Sequence, residues 1–505
     1  MHRKRRYFYF IAIASILLMF SAEVMAETTF HGYFESNFVL RDTTGIQNGF
    51  FEEAEGVQQR NTLKFDVDVY PDSMEIGPFS VSKVHLTFRG AYDSIFDLRA
   101  NEYDDNIRDN MGLSRFDYGK RDIKFESDLR EAFVDFVYSG SLGSAFFRPG
   151  RQLVSWGEAS GNTTILDVIN PKDQSYQMFF QNPDDVKIPI YMARLNYGLP
   201  EMKGLNINFD FLWIPDIRPS QFGPLDSVAG QPSVGINAPY VKILPFTAFR
   251  GRNVKQHVPT NESEYGAKVT ADIGARLSVS AAYFRDINND SGFVYNPADT
   301  TMYGTHNVQH VYGMYFSYNL TELDLVIRGE IGHHTGDVIS KRNGMEASRE
   351  IAGGFDTFAI KPTTRYTLML DKKYKIPFIT DHERTSFGFE WIHEKINEWD
   401  KAVLDRSGVL KTGSSMKDLD IFAFSMMWSW YEGRVGPLIA VSCNPGRPGA
   451  GGASWMIHPV VNWQISNNLY ANFGLHAFLG DKTAKTGYSG LVPTSEFTVK
   501  LGYNW

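Results

Sequence analysis

The chain has one cysteine, Cys443, in 505 residues. A single thiol excludes an intramolecular disulfide, a multi-cysteine zinc site and two-cysteine haem attachment within this chain. Beyond residue 26 no run is apolar for long enough to cross a membrane as a helix. No blade-sized repeat recurs, which weakens a secreted propeller or solenoid. No Gly-x-Ser-x-Gly turn is present, so acyl transfer lacks its usual nucleophile signature and an enzyme is not expected. Excess basic charge is missing too. The formal charge is −8, and removing residues 1–26, with their four basic residues and Glu23, takes it to −11, which argues against a nucleic-acid partner. No cofactor is expected.

What the sequence does contain begins at its ends. His2 to Arg6 form a basic segment, Tyr7 to Phe20 an apolar one, and Val24-Met25-Ala26 a cleavage site, so residues 1–26 are expected to be a secretory signal peptide and the mature chain to start near Glu27. No cysteine follows that site, which disfavours a lipid anchor. The last ten residues alternate: Phe497, Val499, Leu501, Tyr503 and Trp505 share one face of a strand, and Glu496, Thr498, Lys500, Gly502 and Asn504 the other. A chain stopping on an aromatic residue after such a strand resembles the C-terminal insertion signal of bacterial outer-membrane barrels, with Tyr503 and Trp505 as the signal residues. Gly502 stands closer to the end than that signal usually has it. The implied setting is the bacterial outer membrane, with its lipid and the barrel assembly machinery as partners.

The chain is 43% hydrophobic and 14% aromatic, and its mean hydropathy is negative. That suits a barrel whose strands show lipid at every second residue only. Alternation is clearest in Thr62 to Tyr70 (Leu63, Phe65, Val67, Val69 outward), Leu205 to Trp213 (Leu205, Ile207, Phe209, Phe211, Trp213), Leu323 to Ile331 (Leu323, Leu325, Ile327, Ile331) and Thr385 to Glu394 (Phe387, Phe389, Trp391). Further segments bring the expectation to about eighteen strands, with about sixteen as the alternative. Long connections (41 to 61, 93 to 128, 154 to 190, 214 to 263, 286 to 307, 332 to 362, 395 to 417, 480 to 495) alternate with short ones. The predicted fold is therefore an all-β transmembrane antiparallel barrel over 27–505, with long extracellular loops and short periplasmic turns.

The most distinctive stretch runs Arg148-Pro149-Gly150-Arg151-Gln152-Leu153-Val154-Ser155-Trp156-Gly157-Glu158, followed by Asp167-Val168-Ile169-Asn170-Pro171. It resembles the proteobacterial outer-membrane barrel family known only as a domain of unknown function (thirteen-oh-two). That resemblance implies a barrel of unassigned cargo, associated with lipid-handling or hydrophobic-solute export partners. From the residues themselves, Pro149 cannot donate to a ladder and Gly150 and Gly157 allow close approach, so a kink or bulge is expected at Pro149-Gly150. Without a bulge Arg148 and Arg151 have opposite parity; with one they share a side. Ion pairing with Glu131 or Asp135 is the favoured role for both. The connection that follows, 154–190, is the third long one, the position at which general porins fold a loop into the lumen. Folded inward, it would line the pore with Arg148, Arg151, Glu158, Asp167, Asn170, Lys172, Asp173, Asp184, Asp185 and Lys187. The alternative is a surface loop with ordinary Asn-Pro turns.

Other clusters point less directly to chemistry. Glu390, His393 and Glu394 have metal-like spacing, but strand parity puts His393 opposite the two carboxylates. His333-His334 reads as the start of a solvated loop, Asp104 to Asn110 as a solvated acidic loop, and Cys443 to Gly452 as a glycine-rich loop without a phosphate-loop ending. Two functions stand side by side: a channel or transport barrel for small or hydrophobic solutes, and a structural or docking barrel for a lipoprotein or cytochrome.

Overall fold

The computed structural model describes residues 26–42, 54–72, 74–98, 124–159, 165–173, 183–220, 254–257, 259, 261–289, 292–296, 301–340, 355–356, 358–380, 384–399, 417–446, 452–480 and 495–505. Of the expected signal segment, only Ala26 falls within them.

Eighteen strands form a closed antiparallel barrel: β1 (Ala26–Asp42), β2 (Ala54–Pro71), β3 (Phe79–Asp93), β4 (Phe125–Gly140), β5 (Gly143–Gln152), β6 (Ile190–Gly198), β7 (Leu205–Ile214), β8 (Glu264–Ile273), β9 (Leu277–Ile287), β10 (Val308–Leu320), β11 (Leu325–Ser340), β12 (Phe358–Tyr374), β13 (Thr385–Ile396), β14 (Asp418–Met427), β15 (Val435–Asn444), β16 (Ser454–Gln464), β17 (Leu469–Leu479) and β18 (Ser495–Asn504). Each pairs with its sequence neighbour, across long connections as well as short ones, and β1 closes the cylinder against β18 from Tyr33↔Asn504 to Asp42↔Ser495. Helix among the described residues is limited to single turns at Ile95–Leu98, Pro183–Val186 and the 3₁₀ turn Thr321–Leu323. Four short segments (Val254–His257, Gly292–Asn296, Thr301–Thr305 and Phe355–Asp356) pair with one another at the long-connection end.

Period-two patterning decides which side each residue takes. On β2 the apolar Leu63 and Phe65 are exposed on the outside, while Asp66 and Asp68 are buried inside. On β7 Phe211 and Trp213 are exposed and Asp210 is buried; on β13 Phe389 is exposed and Glu390 buried. Apolar-out and polar-in is the reverse of a water-soluble sandwich and is what a lipid-facing barrel requires. Leu323 corrects the expected parity: it ends the 3₁₀ turn before β11 and is no part of the strand.

The inner wall is not uniformly polar. Met192, Leu212, Ile214, Phe284 and Val311, all on β6 to β10, are buried together with Val154, Trp156, Ile165, Leu166 and Ile169 from the connection between β5 and β6. An apolar core thus lies inside one half of the cylinder, where that connection rests on the wall.

Candidate functional site

Strand β5 carries the distinctive motif. Its register with β6 is continuous from Ser144↔Gly198 to Gln152↔Ile190, and its pairs with β4 keep one register from Ala132↔Arg151 to Gly140↔Gly143. No extra residue is inserted at Pro149-Gly150, so of the expected kink or bulge the bulge is absent. The distortion there is a backbone one: Gly150 has φ +138°, and a Cβ on it would lie 2.6 Å from Phe133 Cα. The bulge sits one strand over, where Arg130 of β4 is the extra residue between Thr87↔Glu131 and Phe88↔Leu129.

The two arginines consequently part company. Arg148 grips Asp135 with Nε at 2.5 Å and Nη2 at 2.8 Å, and its guanidinium lies 3.9 Å over the Phe133 ring. Arg151 forks onto Asp128 at 2.9 and 3.0 Å and donates to the Pro189 carbonyl at 2.9 Å. Such forked pairs fix geometry as well as charge. Of the two acids expected as partners, Asp135 is one; Asp128 takes the place of Glu131.

Past β5 the chain crosses onto the inner wall. The Trp156 indole is 2% exposed, donates to Asp210 Oδ2 at 3.1 Å and meets Phe284 edge-on. Gly157 has φ +98°, and a Cβ there would lie 2.6 Å from both Glu330 carboxylate oxygens, so only glycine admits this approach. Glu330 of β11 accepts the backbone N–H groups of Glu158, Ala159 and Leu166 at 2.5, 2.8 and 2.8 Å. One lumenal carboxylate thereby supplies acceptors for three amides of a segment that has no ladder of its own. Glu158 reaches on to Arg328 at 3.2 Å. Ile165 and Leu166 lie over Gly332 and Gly313, where a side chain on either glycine would collide with them. His334 donates to the Ile165 carbonyl at 2.7 Å and is fully buried. The histidine pair expected to open a solvated loop is instead within β11, and its second member anchors this segment.

Asn170 also differs from the lining role expected of it. It is 3% exposed; its Oδ1 accepts Val154 N at 2.8 Å, and its Nδ2 donates to Ile188 O at 3.0 Å and Gln152 O at 3.4 Å. It clips the outgoing and returning arms together. Lys187, likewise buried, pairs with Asp167 at 2.6 Å and donates to Ser155 Oγ. Asp185 reaches the opposite group of strands: Arg89 of β3 at 3.5 Å and Tyr33 of β1, whose hydroxyl donates at 3.3 Å. The bulged Arg130 donates to the Lys187 carbonyl at 2.5 Å. Lys172 and Asp173 hold the segment through their backbones, Lys172 N to Ser220 Oγ at 3.2 Å and Asp173 N to Val186 O at 2.7 Å. Of Asp184 only the backbone, in the Pro183–Val186 turn, is described. The segment is thus held by an apolar seat on β6 to β11 and by a polar clamp on β1, β3 and β4.

The remaining clusters do not converge on chemistry. Glu390 accepts from Thr367 and Glu394 pairs with Arg365, whereas His393 meets Asp420 at 2.8 Å and stacks on Tyr366. Among the described residues no group of three or more His, Cys, Asp or Glu is placed to hold a metal ion. Cys443 and Asn444 belong to β15 and not to a loop. The acidic stretch Asp104 to Asn110 lies outside the described residues. At the C-terminus, Trp505 exchanges backbone hydrogen bonds with Gly32 of β1, the last rung of the closing seam.

Among solved structures, three similar ones are an anion-selective porin from Comamonas acidovorans (12% identity, 95% of this chain and 99% of that one, TM-score 0.38), OccAB4 of Acinetobacter baumannii (7%, 96% and 99%, 0.47) and the outer-membrane protein opdK of Pseudomonas aeruginosa (8%, 95% and 98%, 0.46). No curated protein matches the sequence. The family described as "Protein of unknown function (DUF1302)" matches residues 41–431, well over half of the chain and the whole of the motif that builds the clamp. The chain belongs to that family.

Proposed function

We propose that this protein is an outer-membrane channel that passes small or hydrophobic solutes through a lumen narrowed by the described residues of the 154–190 connection. One observation carries the proposal: a segment pinned to both sides of the inner wall of a closed barrel whose outer face is apolar. Eighteen strands enclose a lumen wide enough for water and solutes, and an inward segment is a means of restricting it. The long connections then face outward from the cell and the short turns face the periplasm. The Arg328 pairs with Glu158 and Asp371, all partly exposed, offer a solute charged groups on the inner wall. A barrel that sheathes a cytochrome would need the central space that the protein's own segment enters, which favours the channel over the docking alternative.

The test is a liposome-swelling panel alongside planar-bilayer recordings of the purified, heat-modifiable barrel. Discrete current steps and size-graded swelling are expected. Folded protein that gives neither would overturn the proposal.

A further inference from the structure

Toward the short turns from the clamp, three cations stand close together on the inner wall. Arg148 of β5 and Arg194 of β6 are directly opposite each other in register, an arrangement that like charges disfavour. Each is held from behind: Arg148 gives Nε and Nη2 to Asp135, and Arg194 gives Nε and Nη2 to Asp210 at 3.0 and 2.8 Å. Lys268 of β8 comes no nearer than 3.8 Å to Asp210, whose Oδ2 already accepts Arg194 and the Trp156 indole. Among the described residues, Nη1 of Arg148, Nη1 of Arg194 and Nζ of Lys268 have no hydrogen-bond acceptor, and none of the three side chains pairs with Glu131 or any further carboxylate.

Burial decides which end of each pair a solute meets. Here the carboxylate is the covered member, Asp135 being 6% exposed against 22% for Arg148, and Asp210 1% against 26% for Arg194. Lys83 over Asp68 repeats that order. Around the clamp the order reverses: Arg60, Arg89, Arg151 and Lys187 are the buried members, and Glu126, Asp185, Asp128 and Asp167 the more exposed ones. The neighbouring amides add no open acceptor, since Asn196 and Asn208 bond to each other reciprocally at 2.6 and 2.7 Å. What this patch offers the lumen is donors that carry positive charge.

We infer that Arg148, Arg194 and Lys268 form a subsite for an oxyanion, the carboxylate or phosphate group of a passing solute, on the short-turn side of the constriction. The oxyanion accepts from Nη1 of both arginines and from Nζ of Lys268, and its charge offsets the repulsion between the opposed guanidiniums. Carboxylates face the lumen at the clamp and cations face it here, so the easier approach for an anion is from the short turns. The subsite deepens the channel proposal by naming a solute class, and it rests on that proposal only for its effect on current.

The experiment titrates the full barrel, folded in dodecyl maltoside, with inorganic phosphate and separately with acetate, reading each anion's own NMR signal against protein-free micelles. Saturable binding of at least one is expected, and the anion bound more tightly names the group. Lys268→Gln should weaken that binding roughly tenfold through loss of a charge-assisted contact, and Lys268→Arg should restore it. Lys500→Gln is the comparison, because it removes a lumenal cation that pairs with Glu35 elsewhere on the wall, and it should leave binding within about twofold of the parent. Binding of neither anion by the parent overturns the inference, as does an equal loss in Lys268→Gln and Lys500→Gln. In bilayers, the anion that binds should lower the current more from the short-turn side than from the other; an equal effect from both sides overturns the placement below the constriction. A parent that binds an anion but never conducts removes the channel proposal and leaves the subsite standing.

Discussion

Replacing Ile165, Leu166 and Ile169 together by serine should free the inward segment from its seat while sparing the barrel. These side chains are 0%, 3% and 0% exposed and pack on β9 to β11 without contributing to any strand ladder. Burial of one such side chain is worth roughly 1.5–3 kcal/mol, so the three together contribute roughly 5–9 kcal/mol to docking. What remains is Val154 and Trp156 in the apolar core, with the Glu330 carboxylate on three amides, the Asn170 clip and the Asp167–Lys187 pair. Losing the apolar share should leave the segment sampling open positions on a time scale that single-channel recording detects. The expected result is higher mean conductance with added open-channel noise, and trypsin cleavage after Lys172 where the parent resists. Unchanged heat-modifiability would show that the cylinder itself persists. Parent-like noise and parent-like resistance to trypsin would refute the claim that this seat holds the segment.

Three further outcomes follow from the wall and the clamp. Phe209→Arg, on the outer face beside Phe211, should cost roughly 2–4 kcal/mol near mid-membrane in a refolding titration, whereas Asn208→Arg, which faces inward and gives up the reciprocal Asn196–Asn208 bonds, should be milder; equal costs would mean that the faces are misassigned. Asn170→Ala leaves Val154 N–H buried without its acceptor, a local loss of about 1–3 kcal/mol, so hydrogen exchange at Val154 should quicken while amides in β14 to β18 stay protected. Deleting Tyr503-Asn504-Trp505 removes the rung that Trp505 makes with Gly32 and should abolish accumulation of folded barrel in the outer membrane; normal levels would refute a need for that end.

The strands were legible because a barrel wall writes itself in period two, and the alternating segments at Thr62 to Tyr70, Leu205 to Trp213 and Thr385 to Glu394 fall in β2, β7 and β13. Their ends were less so. β11 continues from Ile331 to Ser340 and β12 begins at Phe358 instead of Thr363, because Gly332 to Asp337 is polar or glycine on both faces and Pro362 reads as a strand breaker. The motif around Trp156 was recognisable as unusual, yet its partners were not: Asp210, Glu330 and His334 come from β7 and β11, far along the chain, and look like ordinary inward strand residues. His334 was hidden for a second reason, since adjacent histidines beside a glycine resemble a loop. Asn170 carries a turn signature in Asn-Pro, which says nothing of the three backbone groups it joins.

That the described residues of the 154–190 connection restrict the barrel lumen is the point on which the proposed channel turns. It is tested most directly by deleting Thr163 to Asp185 and recording single channels from folded protein beside the parent. The strands on either side, β5 and β6, pair with each other from Ser144↔Gly198 to Gln152↔Ile190 and close without the deleted residues. A larger unitary conductance with weaker solute selection is the predicted result. A deleted protein that folds and conducts like the parent would contradict it and move the constriction elsewhere.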